Sequence, residues 1–304
     1  MKIFVTGATG YAGSRVSAAL SRAGHRVLGL ALDASSEAAQ ALSRSEVTPV
    51  QGDFSRPETW RGHLDGVDAV VHLLLDMGDP LGSDQRLFAE LTAAQERDGR
   101  RRHLVYTTGI SSYGRTGLPL MDENTPGNPD GPLAFRFQLE KELAATGLSH
   151  TIVRPGFMYG GAATTSMTGQ WFAAAEAGKP VFHGDTDKRW SWVHVDDLAR
   201  AYVRILDNPA AVDGETFVIA DDQRLRALDL QTSAVRAAGC TAEISLETAE
   251  AGGMMQMAAD QDELVSSAKA RRLLGWTPHH ASFTDGADIH YRAWKAAQPV
   301  ERPV

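Results

Sequence analysis

The sequence predicts an α/β protein: a doubly wound parallel sheet with a smaller C-terminal substrate lobe. Three observations predict it. Short apolar runs alternate with helix-like segments through the first half of the 304-residue chain, the pattern of a parallel sheet covered on both faces. A glycine-rich turn joins the first strand to the first helix. After Gly160 the rhythm changes to GGAATTSMTG, small, polar and loop-like, and then to a longer, less regular C-terminal third.

The elements follow in order. Strands are expected at Lys2–Thr6, Arg26–Leu32, Val47–Gln51, Ala69–Leu74, His103–Thr108 and Thr151–Arg154, with a later one at Glu215–Ala220. Helices are expected at Ser14–Arg22, Ser35–Leu42 and Leu87–Glu96. A fourth, GPLAFRFQLEKEL, opens on Pro132, where a missing N–H is tolerated. These elements place a sheet domain at residues 1–160 plus about 192–220, and a second lobe at about 161–191 and 221–304.

Composition narrows the function classes. The formal net charge of −8 and the absence of a basic stripe speak against nucleic acid. The densest basic run, Arg100-Arg101-Arg102-His103, precedes a strand and reads as a solvated turn. A single cysteine, Cys240, supports neither a disulfide framework nor a cysteine metal cluster, and no metal is expected. The chain starts directly on a strand, and no apolar run reaches membrane-spanning length. The expectation is a soluble, cytoplasmic protein with a small-molecule partner and no membrane partner.

IFVTGATGYAGSRV is the most informative stretch. Gly7, Gly10 and Gly13 lie between a strand and a helix. Glycines there permit a tight turn and let the backbone approach a pyrophosphate, while the helix N-terminus offers it free N–H groups.

TGATGYAG resembles the TGxxGxxG fingerprint of the extended short-chain dehydrogenase/reductases, the epimerase/dehydratase-like branch. Further matches are GDF at 52–54, VVHLL at 70–74, VYTTGISSYG at 105–114, TIVRPGFMYG at 151–160, WVHVDDLA at 192–199 and LLGWTP at 273–278. The resemblance implies a Rossmann domain binding NAD or NADP. It assigns Gly7, Thr9, Gly10, Tyr11, Ala12 and Gly13 to the phosphate turn. Asp53 and Phe54 go to the adenine, and Leu73, Leu74, Leu75 and Thr107 to the strand ends beside the dinucleotide. Pro155 through Met158 go to the nicotinamide side. At the end of the second strand, Ala31 and Leu32 occupy the places that usually discriminate the two cofactors. Asp33 either binds a ribose or caps the helix beginning near Ser35, so the choice between NAD and NADP stays open.

The resemblance also implies a serine in VYTTGISSYG and a Tyr-x-x-x-Lys on the following helix, and the chain departs from both. The serine position falls on Gly109, beside Thr108. The tyrosine position falls near Ala134 and the lysine near Gln138; placing Arg136 or Lys141 at the lysine puts Pro132 or Phe137 at the tyrosine. Arg136-x-x-x-Glu140 resembles the Lys- or Arg-x-x-x-Glu of tyrosine-less members. In that register Arg136 replaces the ribose contact of the lysine but not the proton transfer of the tyrosine, because a guanidinium does not ionise near neutral pH. The alternative is an exposed Arg136–Glu140 pair on the helix surface.

Other candidates are weaker. Thr108 and Ser111 suit binding of a substrate oxygen. Tyr113 is a phenol on the right loop, although the Tyr-Gly of the family there is usually structural, and Tyr159 has the same status. His194 titrates usefully, but the family keeps its motif mainly for packing and for capping the next helix with Asp196 or Asp197. Asp76 follows the LLL run. The candidate catalytic set is therefore Thr108, Arg136 and Tyr113, with Ser111, Tyr159 and Trp190 on the substrate side.

The second lobe carries Trp171, Phe172, Phe182, Trp190 and Trp192, and later Met254, Met255 and Met257. GGMMQM is either core packing or a pliable lid over an apolar ligand. Lys179, Lys188 and Arg189 are a modest supply for a sugar-nucleotide pyrophosphate. The balance favours an NAD(P)H-dependent ketoreductase of an aromatic or polyketide-like carbonyl compound. The analogy is to tyrosine-less ketoreductases of antibiotic pathways such as those acting on angucyclinones. A nucleotide-sugar epimerase or dehydratase, and a non-catalytic dinucleotide-binding regulator, are the alternatives. The resemblance implies a homodimer through helices near 87–98 and 132–146.

Overall fold

The computed structural model describes residues 1–162, 165–280 and 282–298. Seven parallel strands form its central sheet: β1 (Lys2–Thr6), β2 (Arg26–Ala31), β3 (Thr48–Gln51), β4 (Ala69–His72), β5 (His103–Thr107), β6 (Ser149–Pro155) and β10 (Glu215–Ile219). Their order is β3-β2-β1-β4-β5-β6-β10, the Rossmann order with one strand added. Alternation along each strand feeds two cores. Ile3 and Val5 point into one with Val71 and Val105, beneath helices α1 (Tyr11–Arg22), α2 (Glu37–Arg44) and α6 (Val195–Asp207). Phe4 points into the other with Leu104 and Tyr106, beneath α3 (Pro80–Asp98) and α4 (Phe135–Ala145).

Each expected strand is present, with ends that differ by at most two residues. β4 ends at His72; the Leu73 N–H makes a last bond to Thr6 O at 3.2 Å, and Leu73 and Leu75 then line a cavity. α1 starts at Tyr11, with Gly10 as its N-cap. α3 starts at Pro80, ahead of the expected Leu87, because the Asp79 carboxylate accepts from the Gly82 N–H at 3.0 Å and caps it. α4 starts at Phe135 and not at Pro132, since the preceding residues make tight i→i+3 bonds such as Ala134 N–H to Gly131 O.

The second lobe contains two small parallel pairs: β7 (Phe157–Tyr159) with β9 (Trp192–His194), and β8 (Val181–His183) with β11 (Ser245–Glu247). Around them pack α5 (Met167–Glu176), α7 (Ala227–Ala237), the short α8 (Met254–Ala258) and α10 (Ala287–Ala296). Tyr159, Trp171, Phe172, Phe182 and Trp294 supply much of the core. The packing departs from the expected lobe boundary at β7 and β9, which fall within 1–160 and 192–220 yet send Tyr159 and Trp192 into this aromatic core, and at α9 (Ala268–Leu274). Ala270, Leu274 and Trp276 join the sheet-side core, and the Trp276 indole donates to Asp197 O at 2.8 Å. LLGWTP thus belongs to the sheet domain. Among the described residues, no helix is long and apolar enough to cross a membrane.

Candidate active site

A cleft runs over the C-terminal ends of the strands, where the order reverses between β1 and β4. It holds two cavities, of about 700 and 480 Å³, which share Gly7 and Leu75.

The glycine turn lies between them. Gly7 has φ 69°, and a Cβ there would come within 2.9 Å of the Leu73 and Leu74 backbone. A Cβ on Gly13 would lie 1.9 Å from Gly7 O, so the turn folds onto the first turn of α1 too closely for any side chain. Gly10, Tyr11, Ala12 and Gly13 line the larger cavity. No side chain caps α1 and no acidic residue sits in its first turn. Open N–H groups at the positive end of a helix fit a pyrophosphate. The smaller cavity continues along Thr9, Leu32, Asp53, Phe54 and Leu74 and fits the adenosine end. Asp76 lines it too, with its carboxylate held by Gly78 N–H and the Ser83 hydroxyl.

Asp33 does not line this cavity. Its Oδ1 accepts from the Ser35 N–H at 2.8 Å and the Ser35 hydroxyl at 2.6 Å, which holds the carboxyl below its usual range. It does not cap α2 either: Ser36 is the N-cap, its hydroxyl accepting from the Ala39 N–H at 3.3 Å, and Asp33 instead closes the turn that precedes it.

The larger cavity brings together Leu73, Thr108, Ser111, Arg136, Pro155 and Met158. Thr107 is not part of its wall. The Thr107 hydroxyl is within 2.6 Å of the Tyr202 hydroxyl, and its carbonyl accepts from Arg136 Nη1 at 3.3 Å. Arg136 is the one charged side chain among the described lining residues. Burial pulls its pKa down, opposed by Tyr106, Asp84 and Glu140. Its other guanidinium N–H groups have no hydrogen-bond partner among the described residues and are left to a ligand.

The exposed Arg136–Glu140 pair does not form. Both residues are buried, and Glu140 turns towards β6. Its Oε1 accepts from the Thr108 hydroxyl at 2.7 Å and from Arg154 Nε at 3.1 Å, and Oε2 accepts from Arg154 Nη2. This corrects the role expected of Thr108. Its single proton is committed to Glu140, so it offers a substrate oxygen no donor.

Three further candidates stay outside the large cavity. Tyr113 is fully buried; its hydroxyl donates to Asp122 O at 2.7 Å and accepts from Arg154 Nη1 at 2.8 Å, and burial pushes its pKa up to about 12. It is a packing residue, not a proton donor to the cavity. Tyr159 is buried in the aromatic core. Trp190 donates its indole N–H to Ala259 O at 3.0 Å and stacks at 4.3 Å on Phe157, which does line the cavity. It supports the wall from behind.

His194 itself caps α6, accepting from Asp196 N–H at 3.1 Å, and burial holds its pKa down at about 4. The two aspartates expected to cap that helix do other work. Asp196 takes Arg15 Nε at 2.6 Å, tying α1 to α6, and Asp197 accepts the N–H groups of His279 and His280.

One buried acid was not legible in the sequence. Glu263 Oε2 accepts from the Ser111 hydroxyl at 2.8 Å, and Oε1 accepts from Gln261 Nε2 at 3.1 Å. It is wholly buried, and burial pushes its pKa up to about 7. In sequence it sits in DQDEL, where nothing separates it from Asp260 and Asp262. Pairing with the strand-like segment at Trp190 brings it inward: Ser191 N–H donates to Glu263 O at 3.0 Å, and Glu263 N–H to Arg189 O at 2.8 Å. Among the described residues no group of three or more His, Cys, Asp or Glu could hold a metal ion.

A family model described as the NAD dependent epimerase/dehydratase family matches residues 3–220. The chain belongs to that family. It is thus an enzyme of the extended short-chain dehydrogenase/reductase type, and its cofactor is a nicotinamide dinucleotide. Among its relatives is a 3-diazoavenalumate denitrifying reductase of Streptomyces, 28% identical over 94% of this chain and 99% of that protein. A ketoreductase of Aspergillus fumigatus is 26% identical over 72% of this chain and 78% of its own. In fold, the UDP-glucose 4-epimerase of Thermotoga maritima superposes with a TM-score of 0.80 at 19% identity, over 97% of this chain and 99% of that one.

Proposed function

We propose that the protein is a reductase that uses NADH to reduce an apolar, aromatic or polyketide-like carbonyl compound without a tyrosine acid. One observation carries this reading: the larger cavity has Arg136 as its single charged group among the described residues. A sugar nucleotide would bring a diphosphate needing cations of its own, and the wall offers instead Ile110, Leu133, Phe157, Met158, Met167 and Met255. Tyr11, the one tyrosine among the described lining residues, donates its hydroxyl to Gly160 O at 2.6 Å, and burial raises its pKa further.

Bound at the glycine turn, the dinucleotide supplies a hydride. The residues of the chain do the rest. Arg136 holds an anionic or hydroxyl group of the dinucleotide, and the glycine turn holds its pyrophosphate. The apolar walls orient a flat substrate and exclude water. NADH is favoured over NADPH because the described residues of the adenosine end include Asp53 and Asp76 but no lysine or arginine, so a 2′-phosphate would meet carboxylates without a counter-charge.

The test is consumption of NADH and NADPH against a panel of aryl ketones and polycyclic quinones, with binding followed by fluorescence. Turnover with NADH is expected. Arg136→Gln should weaken NADH binding by roughly 1.5–3 kcal/mol. Tight NADH binding with no carbonyl compound turned over would sink the reading.

The Streptomyces relative supports a second reading. Its name describes a denitrifying reductase acting on a diazo compound. When hydride adds to a carbon bearing a diazonium group, the C–N pair leaves with dinitrogen and no proton is needed, which suits a cavity without a tyrosine acid. Release of dinitrogen from an aryl diazonium substrate, with no reduction of ketones, would favour it.

A further inference from the structure

Carbonyl reduction needs a proton as well as a hydride, and the described wall of the larger cavity contains no Asp, Glu, His, Lys or Cys. It does contain three hydroxyl residues on the loop after β5, Thr108, Ser111 and Ser112; the Ser112 oxygen is buried and makes no hydrogen bond among the described residues, while Thr108 and Ser111 are each bonded to a buried glutamate behind the wall. The proton of Thr108 is directed at a carboxylate already engaged by Arg154. Ser111 has a different partner. Glu263 has no ion pair among the described residues, and its remaining contact is the side-chain amide of Gln261. The charged group that faces it is Lys188, whose ammonium is turned to His183 O at 2.5 Å and Asp260 Oδ1 at 3.3 Å, over the rings of Phe182 and Trp190.

We infer that Ser111 and Glu263 form a two-residue proton relay that opens into the larger cavity and delivers the proton required for carbonyl reduction. The inference rests on the carbonyl-reduction reading above. Each protonation state of Glu263 gives Ser111 a different face. When Glu263 is a neutral acid, its O–H donates to Ser111 Oγ, and the serine proton is free to point into the cavity. When Glu263 is ionised, Ser111 donates backwards at 2.8 Å and offers the cavity only lone pairs. Burial raises the glutamate pKa to about 7, so both states are populated near neutrality.

The step balances. Hydride from the dihydronicotinamide, the reductant, adds to the carbonyl carbon, and the C=O π pair moves to oxygen. That alkoxide takes the Ser111 hydroxyl proton while Ser111 Oγ takes the carboxyl proton of Glu263. Glu263 ends as a carboxylate that accepts from Ser111 and Gln261, and a proton from solvent restores it. Ser111 is the group that meets the substrate; Glu263 acts through it as a proton store.

Two variants and two readouts test the relay. Glu263→Gln keeps size and hydrogen bonding but cannot hold a titratable proton, and Ser111→Ala removes the link. Each should lower kcat for a ketone by about 10²-fold, with NADH binding unchanged. The wild-type kcat should fall as pH rises through about 7, and this limb should vanish in Glu263→Gln. Infrared difference spectra of wild type against Glu263→Gln should show a carboxylic-acid band that titrates near pH 7 and shifts in Ser111→Ala. The relay is overturned if Glu263→Gln keeps kcat within twofold of wild type and the pH limb persists, or if the carboxyl is ionised across the whole range. A protein that shows the Ser111-dependent band yet reduces no carbonyl compound would overturn the reductase reading while supporting the pair as a proton store.

Discussion

Two buried glutamates stand behind one cavity wall, each accepting a hydroxyl hydrogen bond from the loop after β5: Glu140 from Thr108 at 2.7 Å and Glu263 from Ser111 at 2.8 Å. They differ in the third group. Glu140 has the Arg154 guanidinium on both its oxygens, and Arg154 also contacts Tyr113 and stacks over the Phe137 ring at 4.4 Å. Glu263 has an amide in place of a cation. A carboxyl held on both oxygens by a guanidinium becomes a strut between α4, β6 and the loop after β5. A carboxyl in the same degree of burial without a cation sits near its own titration point. One loop thus carries a rigid hydroxyl and a switchable one, three residues apart.

The comparison can be broken at its strongest point first. Glu140→Gln leaves Arg154 buried and without its counter-charge, and should cost about 3–5 kcal/mol of stability, read as a lower midpoint in urea. A cost near zero would mean that Arg154 finds water or another partner, and that Glu140 is not a strut. Replacing both residues by apolar ones of similar volume should recover part of the loss.

The next test uses pH. Glu263 is raised from 4.5 to about 7 in the folded protein, so below pH 4.5 it is protonated in both states and makes no difference. Between 4.5 and about 7 the unfolded chain ionises first, and stability should fall as pH rises. The total is on the order of 3 kcal/mol. Asp221, which burial also raises to about 7, adds to the slope in wild type. The comparison to make is therefore wild type against Glu263→Gln, which should lose part of the slope. Identical slopes would count against a proton held on Glu263.

The smallest effect separates the two hydroxyls. Thr108→Val removes a bond to a carboxylate that Arg154 still holds, and should cost about 1 kcal/mol of stability with turnover of a ketone changed by less than about threefold. A collapse of turnover as large as that expected for Ser111→Ala would show that Thr108, not Ser111, faces the substrate oxygen.

The fold and the glycine turn were legible because their determinants are local. The glycines of TGATGYAG specify a turn by what they lack, and strand alternation specifies which face is buried. The wall around Ser111 was less legible because it is assembled from distant segments. Ser111 and Glu263 are 152 positions apart, and only the pairing of Trp190 with Glu263 shows that an acidic loop residue is interior. Asp33 and Arg136 illustrate the same limit. A residue type and its position say which partners are in reach, but not whether Ser35 will occupy the aspartate or Arg154 the glutamate meant for Arg136. His194 reads in sequence as a titrating candidate, yet its imidazole is fixed by Asp196 N–H and by stacking at 3.5 Å on His280.

The short α8 leaves Met254, Met255 and Met257 each at least half exposed, and Met255 lines the larger cavity. Thioethers in that position are open to oxidants as well as to substrates. Conversion to sulfoxide would turn a soft apolar rim into a polar and chiral one. The expected course of oxidative ageing is a rising KM for apolar substrates before any loss of NADH binding or of folded structure, reversed by methionine sulfoxide reductases. Mild peroxide treatment followed by peptide mass analysis would show whether this rim is where the enzyme wears first.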